Sequence, residues 1–367
     1  MKSLLIKEVT NCIENKAPLM LQESYDNAGL IIGDPNQNIH KILICVDVTE
    51  EVLKEAIQNS CDLIISHHPL IFSGLKKLNN QNITQRIVSK AIKNNIAIYA
   101  AHTNLDNVIH GVNGILAQKL GLTKNKILSP KKGLLQKLVT FVPIEYLEKM
   151  QDTLAKAGAG TIGNYDSCSF TVKGTGSFRA SSECKPFVGE QGKLHREEEI
   201  RLETIFPKWK RSTIINELIK NHPYEEVAYD IYDVDLSHPS IGSGIIGFLP
   251  EQENVKLFLN KVKDISGCSI IRHSTLNKDK IQKVAICGGS GSFLISDAIR
   301  SDADIFITGD VKYHDFFEAD NKIIIADIGH YESEQFSVEL LSSYIKEKFP
   351  TFAVRLSEVN TNSIKYL

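Results

Sequence analysis

The sequence predicts an α/β protein in which two α/β halves, one toward each end of the chain, form a single unit interrupted by an inserted α+β domain. Three observations predict this. Short apolar, β-branched runs alternate with helical patterns between about 41 and 121 and again after 283, the signature of parallel strands joined by crossover helices. From about 130 to 240 the pattern changes to alternating apolar and polar strands around two helical stretches. The apolar runs at both ends of the chain finish on histidine-bearing segments, and ligands collect at the carboxyl ends of the strands in an open parallel sheet.

In the first half the order is strand 42–48, helix 50–59, strand 62–66, helix 84–94, strand 96–101 and helix 112–120. After 283 it is strand 284–287, helix 293–300, strand 304–308, a short helix 311–319, strand 323–328 and a long helix 334–348. Between them lie strand 139–142, helix 146–157, strands 169–172 and 200–206, helix 211–220 and strand 228–232, a βαββαβ order that reads as ferredoxin-like. Glycines 158–163 and 174–176, with the polar stretch 181–185, mark its loops. The domains are therefore 1–128, 129–243 and 244–367, the middle one carrying its own core with its ends close together.

Composition bounds the function. A chain of 367 residues exceeds a typical single domain, and 42% hydrophobic with 23% charged residues is ordinary globular composition. A formal net charge of −2 and a pI near 6.6 exclude the basic excess that nucleic acid or an anionic membrane would demand. The seven cysteines are odd in number and form no CxxC pair, so no disulfide framework is expected; Cys45, Cys61 and Cys287 beside apolar runs read as buried thiols. Charges interrupt Met1-Lys2-Ser3-Leu4-Leu5-Ile6-Lys7-Glu8 too early for a signal-peptide core, and no apolar stretch reaches ~18 residues. A reducing, cytoplasmic setting is expected.

The chemistry sits in three segments, Ser66-His67-His68-Pro69, His102-Thr103-Asn104-Leu105-Asp106 and Gly329-His330-Tyr331-Glu332-Ser333-Glu334, each just past an apolar strand. A histidine pair before a proline also suits a helix cap, and His102 with Asp106 also suits a turn. His330 and Glu334, four apart at a helix start, fall on one face as in many metal sites; acidic residues favouring a helix N-terminus explain the glutamates but not the histidine. Their common position at strand ends makes them one site. His67, His68, Asp106, His330 and Glu334 exceed the three or four protein ligands of one catalytic zinc, so two ions sharing a bridge fit better. Imidazole and carboxylate donors suit zinc, iron, nickel and manganese alike, and zinc is the first expectation among them.

Two further strand-end segments are less specific. Cys287-Gly288-Gly289-Ser290-Gly291-Ser292 lets backbone amides approach an anion, yet it matches neither common phosphate-loop pattern and serves equally as a tight turn. Thr308-Gly309-Asp310-Val311-Lys312-Tyr313-His314-Asp315 brings His314 near the same rim as a candidate acid or base, against the default of a surface histidine.

Tyr25-Asp26-Asn27-Ala28-Gly29-Leu30, Ile64-Ile65-Ser66-His67-His68-Pro69-Leu70, the His102 and His330 segments and Gly288-Gly289-Ser290-Gly291 together resemble a known family in order and spacing over essentially the whole chain. It is the Nif3-like family of dinuclear-metal hexameric proteins described as GTP cyclohydrolase 1 type 2 homologues. Long members carry a PII-like insert with segments similar to Thr171-Val172-Lys173-Gly174-Thr175-Gly176-Ser177-Phe178 and Asn221-His222-Pro223-Tyr224-Glu225-Glu226. The resemblance implies two divalent metals on His67, His68, Asp106, His330 and Glu334, and a toroidal homohexamer. The insert departs at Ala180-Ser181-Ser182-Glu183-Cys184, where a proline- or glycine-rich stretch is expected.

The function that follows is a dinuclear-metal-dependent hydrolase of the GTP cyclohydrolase kind, with activated water attacking purine C8 of GTP or a related substrate and releasing formate. Glu334 is the expected bridge, with Asp106 as competitor; His314 would shuttle protons and the Gly288 turn would hold phosphate. The alternative is a non-catalytic metal-binding regulatory or scaffold hexamer whose PII-like domain senses a ligand.

Overall fold

The computed structural model describes residues 3–367, so Met1 and Lys2, which open the leader reading above, lie outside the described residues. The chain forms two compact units, one running to Pro130 and resuming at Ser240, the other Lys131–Pro239. Among the described residues no helix is long and apolar enough to cross a membrane.

The first unit holds two large sheets. One is ordered Ala353–Leu356, Lys41–Cys45, Leu63–Ser66, Ala97–Ala100 and Gly29–Ile32; the first four strands are parallel and the last is antiparallel. The other is ordered Arg272–His273, Ile324–Asp327, Ile305–Gly309, Lys280–Ser290, Ser237–Asn254 and Thr123–Lys132, parallel across its three central strands. The two halves fall in one compact unit without sharing one sheet. Each half builds its own sheet, and each lends the other a strand: Ala353–Leu356 joins the N-terminal sheet and Thr123–Lys132 the C-terminal one. A strand's pairing partner is set by backbone hydrogen bonds across space, which hydrophobic pattern does not encode.

Crossover helices follow from capping and periodicity. Glu50–Gln58 starts on Thr49, whose hydroxyl accepts from the Val52 amide, carries Glu50 and Glu51 in its first turn and buries Val52, Leu53 and Ala56. Ile83–Lys93 starts on Asn82, ends with Lys90 and Lys93 and buries Ile87, Val88 and Ala91. Both pack with Leu43, Ile64 and Ile98 in one core. A second core gathers Phe306, Ile323 and Ile325 with Leu294, Ile295 and Ala298.

Three local readings differ. The helix read as 334–348 starts earlier, at His330, and is broken: His330–Glu334 is one turn and Ser337–Lys348 the long helix. Gln335 holds the break, its amide donating to the Ser266 carbonyl at 2.6 Å. The region after 243 contains the end of the long strand Ser237–Asn254 and the helix Val255–Ser266, capped by Asn254. The glycines read as a loop at 174–176 lie inside the strand Ser169–Arg179.

The second unit runs strand Leu135–Pro143, helix Leu147–Ala157, strands Ser169–Arg179 and Leu194–Pro207, helix Arg211–Asn221 and strand Tyr229–Val234. Its sheet is antiparallel, in the order Tyr229–Val234, Leu135–Pro143, Leu194–Pro207, Ser169–Arg179. Leu138, Val142, Leu202 and Phe206 bury one face under Met150, Leu154, Ile214 and Leu218 of the helices. All seven cysteines are free.

The two units, each with its own packing, should melt separately. Phe306→Ala and Phe206→Ala each remove a fully buried ring and should cost about 3–5 kcal/mol. By calorimetry, Phe306→Ala should lower one transition and Phe206→Ala another; both substitutions lowering a single shared transition equally would contradict two such units.

Candidate metal centre

Parallel sheets point their carboxyl ends to one side, and in the first unit those of both sheets supply the chemistry. Leu63–Ser66 ends on His67 and His68, and Ala97–Ala100 leads to the turn Thr103–Asp106. Ile324–Asp327 of the other sheet leads to His330–Glu334.

The structure brings the three predicted histidines around one oxygen of Glu334, with Asp106 beside His67. Glu334 Oε2 lies 2.9 Å from His68 Nε2, 3.0 Å from His330 Nε2 and 3.6 Å from His67 Nε2. Asp106 Oδ1 is 3.7 Å from His67 Nε2, and the Nε2 atoms of His68 and His330 are 3.3 Å apart. Ligand atoms of His67, His68 and Glu334 are close enough together to hold a metal ion.

His67 supplies the test of fit. Its ring is fully buried and its Nδ1 sits 2.9 Å from the Ala101 carbonyl, which only accepts, so Nδ1 carries the proton. Nε2 is buried without a hydrogen-bond partner and faces two carboxylates; burial would lower the ring's pKa, but their charges raise it. A buried ring nitrogen left unpartnered between two carboxylates is costly unless a proton or a metal cation fills the space between them. The donor set of imidazole and carboxylate suits a divalent ion.

The surrounding groups aim the rings. His68 Nδ1 lies 2.7 Å from Asp47 Oδ1, and Thr361 donates to Asp47 Oδ2 at 2.7 Å. His330 Nδ1 lies 2.7 Å from Asp310 Oδ2, which also accepts from Ser290 Oγ. Such carboxylate partners fix the ring orientation of ligating histidines. Burial opposes protonation of His68 and His330, but Asp47 and Glu334 carry the first up to about 10, and Glu334 and Asp310 the second up to about 9. Burial would raise Glu334, and the three imidazoles hold it well below the usual carboxylate range. Burial and the Glu334 charge raise Asp106 to about 6.

Of the two readings of the glycine turn, the tight structural turn is the one its hydrogen bonds display. Three of its amides already have acceptors: Gly288 donates to Asn113 Oδ1, Gly289 to Ser333 Oγ and Gly291 to Thr308 Oγ1. Gly289, at φ +64°, lies so close that a Cβ there would meet Glu334 Oε1 at 2.2 Å. The turn is the wall against which Glu334 rests. His314 is exposed, its ring meeting Tyr313 at 5.2 Å and Phe317 at 6.2 Å, and no hydrogen bond or ion pair joins it to the five residues among the described contacts.

Sequence reasoning missed Asp47, and it singled out the segments of His102, Asp26 and Asp310 without giving those three residues a role. Asp47 and Asp310 each follow an apolar strand closely, the signal that found the histidines. The His102 ring stands 5.4 Å from both His67 and His68, with Nδ1 2.8 Å from Asp26 Oδ1. Asp26 also accepts from the Thr103 hydroxyl and amide. Burial raises Asp26, but the His102 and Thr103 hydrogen bonds overcome it and hold the carboxyl down at about 2. A depressed carboxylate contributes stability that is present above its unfolded pKa and lost as pH falls through its folded one. Asp26→Asn should therefore cost about 2–3 kcal/mol at neutral pH and remove part of the acid-unfolding slope between about pH 4 and 2. An unchanged acid limb in denaturant melts would contradict it.

Comparison with known proteins agrees with the geometry. The Duf34/NIF3 (NGG1p interacting factor 3) family matches residues 4–363. A Bacillus subtilis protein named GTP cyclohydrolase 1 type 2 homolog is 38% identical over 371 residues, all of both chains. One of the same name from Halalkalibacterium halodurans is 38% identical across 98% of each. The crystal structure of a Bacillus cereus protein related to NIF3 superposes with TM-score 0.87 at 37% identity, covering both chains fully. A Staphylococcus aureus structure follows at TM-score 0.78 and 28% identity. With that match spanning nearly its whole length, the chain belongs to the Duf34/NIF3 family.

Proposed function

We propose that this chain is a dinuclear-metal-dependent hydrolase acting on GTP or a related purine nucleotide, as the name of its curated relatives suggests. His67, His68, Asp106, His330 and Glu334 would hold two divalent ions, zinc first among them. The observation that supports it most is Glu334 Oε2 lying within 3.6 Å of the Nε2 atoms of His67, His68 and His330, with the second carboxylate oxygen against the Gly289 turn. A carboxylate so placed suits a bridge.

When bound, paired divalent ions lower the pKa of water to neutrality and stabilise developing negative charge. The chain's own groups do the rest. Asp47 and Asp310 keep His68 and His330 aimed inward. His102, oriented by Asp26 and beside His67 and His68, is the imidazole best placed to take a proton from water and return it to the opening purine ring. His314 remains a candidate for the same duty at the rim. Cytoplasmic GTP and a homohexameric assembly complete the reading.

A second reading, a metal-binding regulatory or scaffold hexamer with a PII-like ligand-sensing domain, is favoured by a cavity in the second unit. The readings separate on activity. Metal-reconstituted protein should release formate and a pterin from GTP, and Glu334→Gln should lower turnover by about 100-fold or more. No turnover in either protein, with two ions per chain by elemental analysis, would reject GTP. Stripping the metal should abolish turnover and leave the assembly's mass by light scattering unchanged; dissociation would support the scaffold instead. Unchanged turnover in His314→Ala removes that residue from the mechanism, whereas His102→Ala should lower turnover by about 100-fold.

A further inference from the structure

The second unit carries a cavity of about 450 Å³ on the sheet face opposite its helices. The helix-covered face takes Leu138, Val142, Leu202 and Phe206, so Phe141, Glu199, Gly176 and Phe178 point the other way by strand alternation. The loop after Ser169–Arg179 closes over this face. It is pinned by Gly192 donating to the Ala180 carbonyl at 2.8 Å, Gln191 Nε2 to the Cys184 carbonyl at 2.7 Å and the Lys185 amide to Glu225 Oε2 at 2.9 Å. The volume falls in the range of small-molecule sites.

Its lining combines aromatic rings with an excess of negative charge. Phe141, Phe178, Phe187 and Tyr224 supply the apolar wall, with the Phe187 and Tyr224 rings 6.1 Å apart. Glu199, Glu225 and Glu226 face one guanidinium, Arg179. Glu225 is occupied by the Lys185 amide. Glu199 is half-buried, and no lysine or arginine pairs with it among the described residues. The backbone makes room for its carboxylate, since a Cβ on Gly176 would meet Glu199 Oε2 at 2.1 Å. The buried Tyr224 hydroxyl faces Glu199. Burial, then Glu199, with Glu197 and Glu145 behind it, holds its proton well above the usual phenol range, so the field there is negative.

We propose that this cavity binds a small organic cation, an ammonium or guanidinium group on an apolar body, with the charge on Glu199 and the body against the Phe187 and Tyr224 rings. An unpaired carboxylate beside ring faces attracts cations through charge and quadrupole together. An anion would have Arg179 alone and three carboxylates against it. The inference rests on nothing in the metal centre.

The test uses full-length protein and three probes of similar shape, phenethylammonium, phenethyl alcohol and phenylacetate, by titration calorimetry. Phenethylammonium should bind saturably and at least about tenfold tighter than either of the others. Glu199→Gln, with its thermal transition and metal content intact, should erase that preference. Gly176→Ala, which displaces the same carboxylate, serves if Glu199→Gln fails to fold. Equal binding of the alcohol, tighter binding of phenylacetate, a preference that survives both substitutions, or no saturable binding by any probe would each overturn the proposal.

Discussion

One carboxylate organises the candidate metal centre. Glu334 is buried, and a buried charge is tolerated only when opposite charge or strong donors surround it. Here three imidazoles converge on a single oxygen, drawn from the carboxyl ends of two different sheets. The sheets must hold their mutual position to within tenths of an ångström for those distances to exist. The exchanged strands Ala353–Leu356 and Thr123–Lys132 are the covalent and hydrogen-bonded means of doing so.

The same demand explains the backbone around it. Gly289 removes the side chain that would strike Glu334 Oε1, and its amide is anchored on Ser333 next to Glu334 in the chain. The break after Glu334 frees the turn His330–Glu334 from the axis of the long helix Ser337–Lys348, so its two functional groups are aimed by the strand before them. Beyond the five candidate ligands, Asp47, Asp310 and the Ala101 carbonyl each set one ring. The C-terminal segment reaches this layer too, through Thr361 on Asp47 and Asn362 on Glu332. The candidate site thus draws on residues spread from Asp26 to Asn362.

The second unit follows a different economy. Its helices cover one face of an antiparallel sheet, and its other face carries a loop-closed aromatic and acidic cavity. Gly174 and Gly176 read as loop residues in sequence because glycine usually breaks strands. Inside the strand Ser169–Arg179, Gly176 instead gives space to the Glu199 side chain across the pairing. No local pattern distinguishes those two uses of glycine.

By itself the sequence determined the strands that end in His67, His68 and His330, the helical spacing of His330 and Glu334, and the two α/β stretches with a contrasting middle. These are local consequences of side-chain periodicity and of chemistry at strand ends, and they survive without knowledge of pairing. Only the tertiary structure decided that the halves form two sheets with exchanged strands, that Asp47, Asp310, Asp26 and His102 complete the surroundings, and that the glycine turn supports Glu334 with amides already taken. Each of those depends on which backbones lie side by side. That is fixed by long-range hydrogen bonds and packing between residues hundreds of positions apart, as with His68 and Glu334.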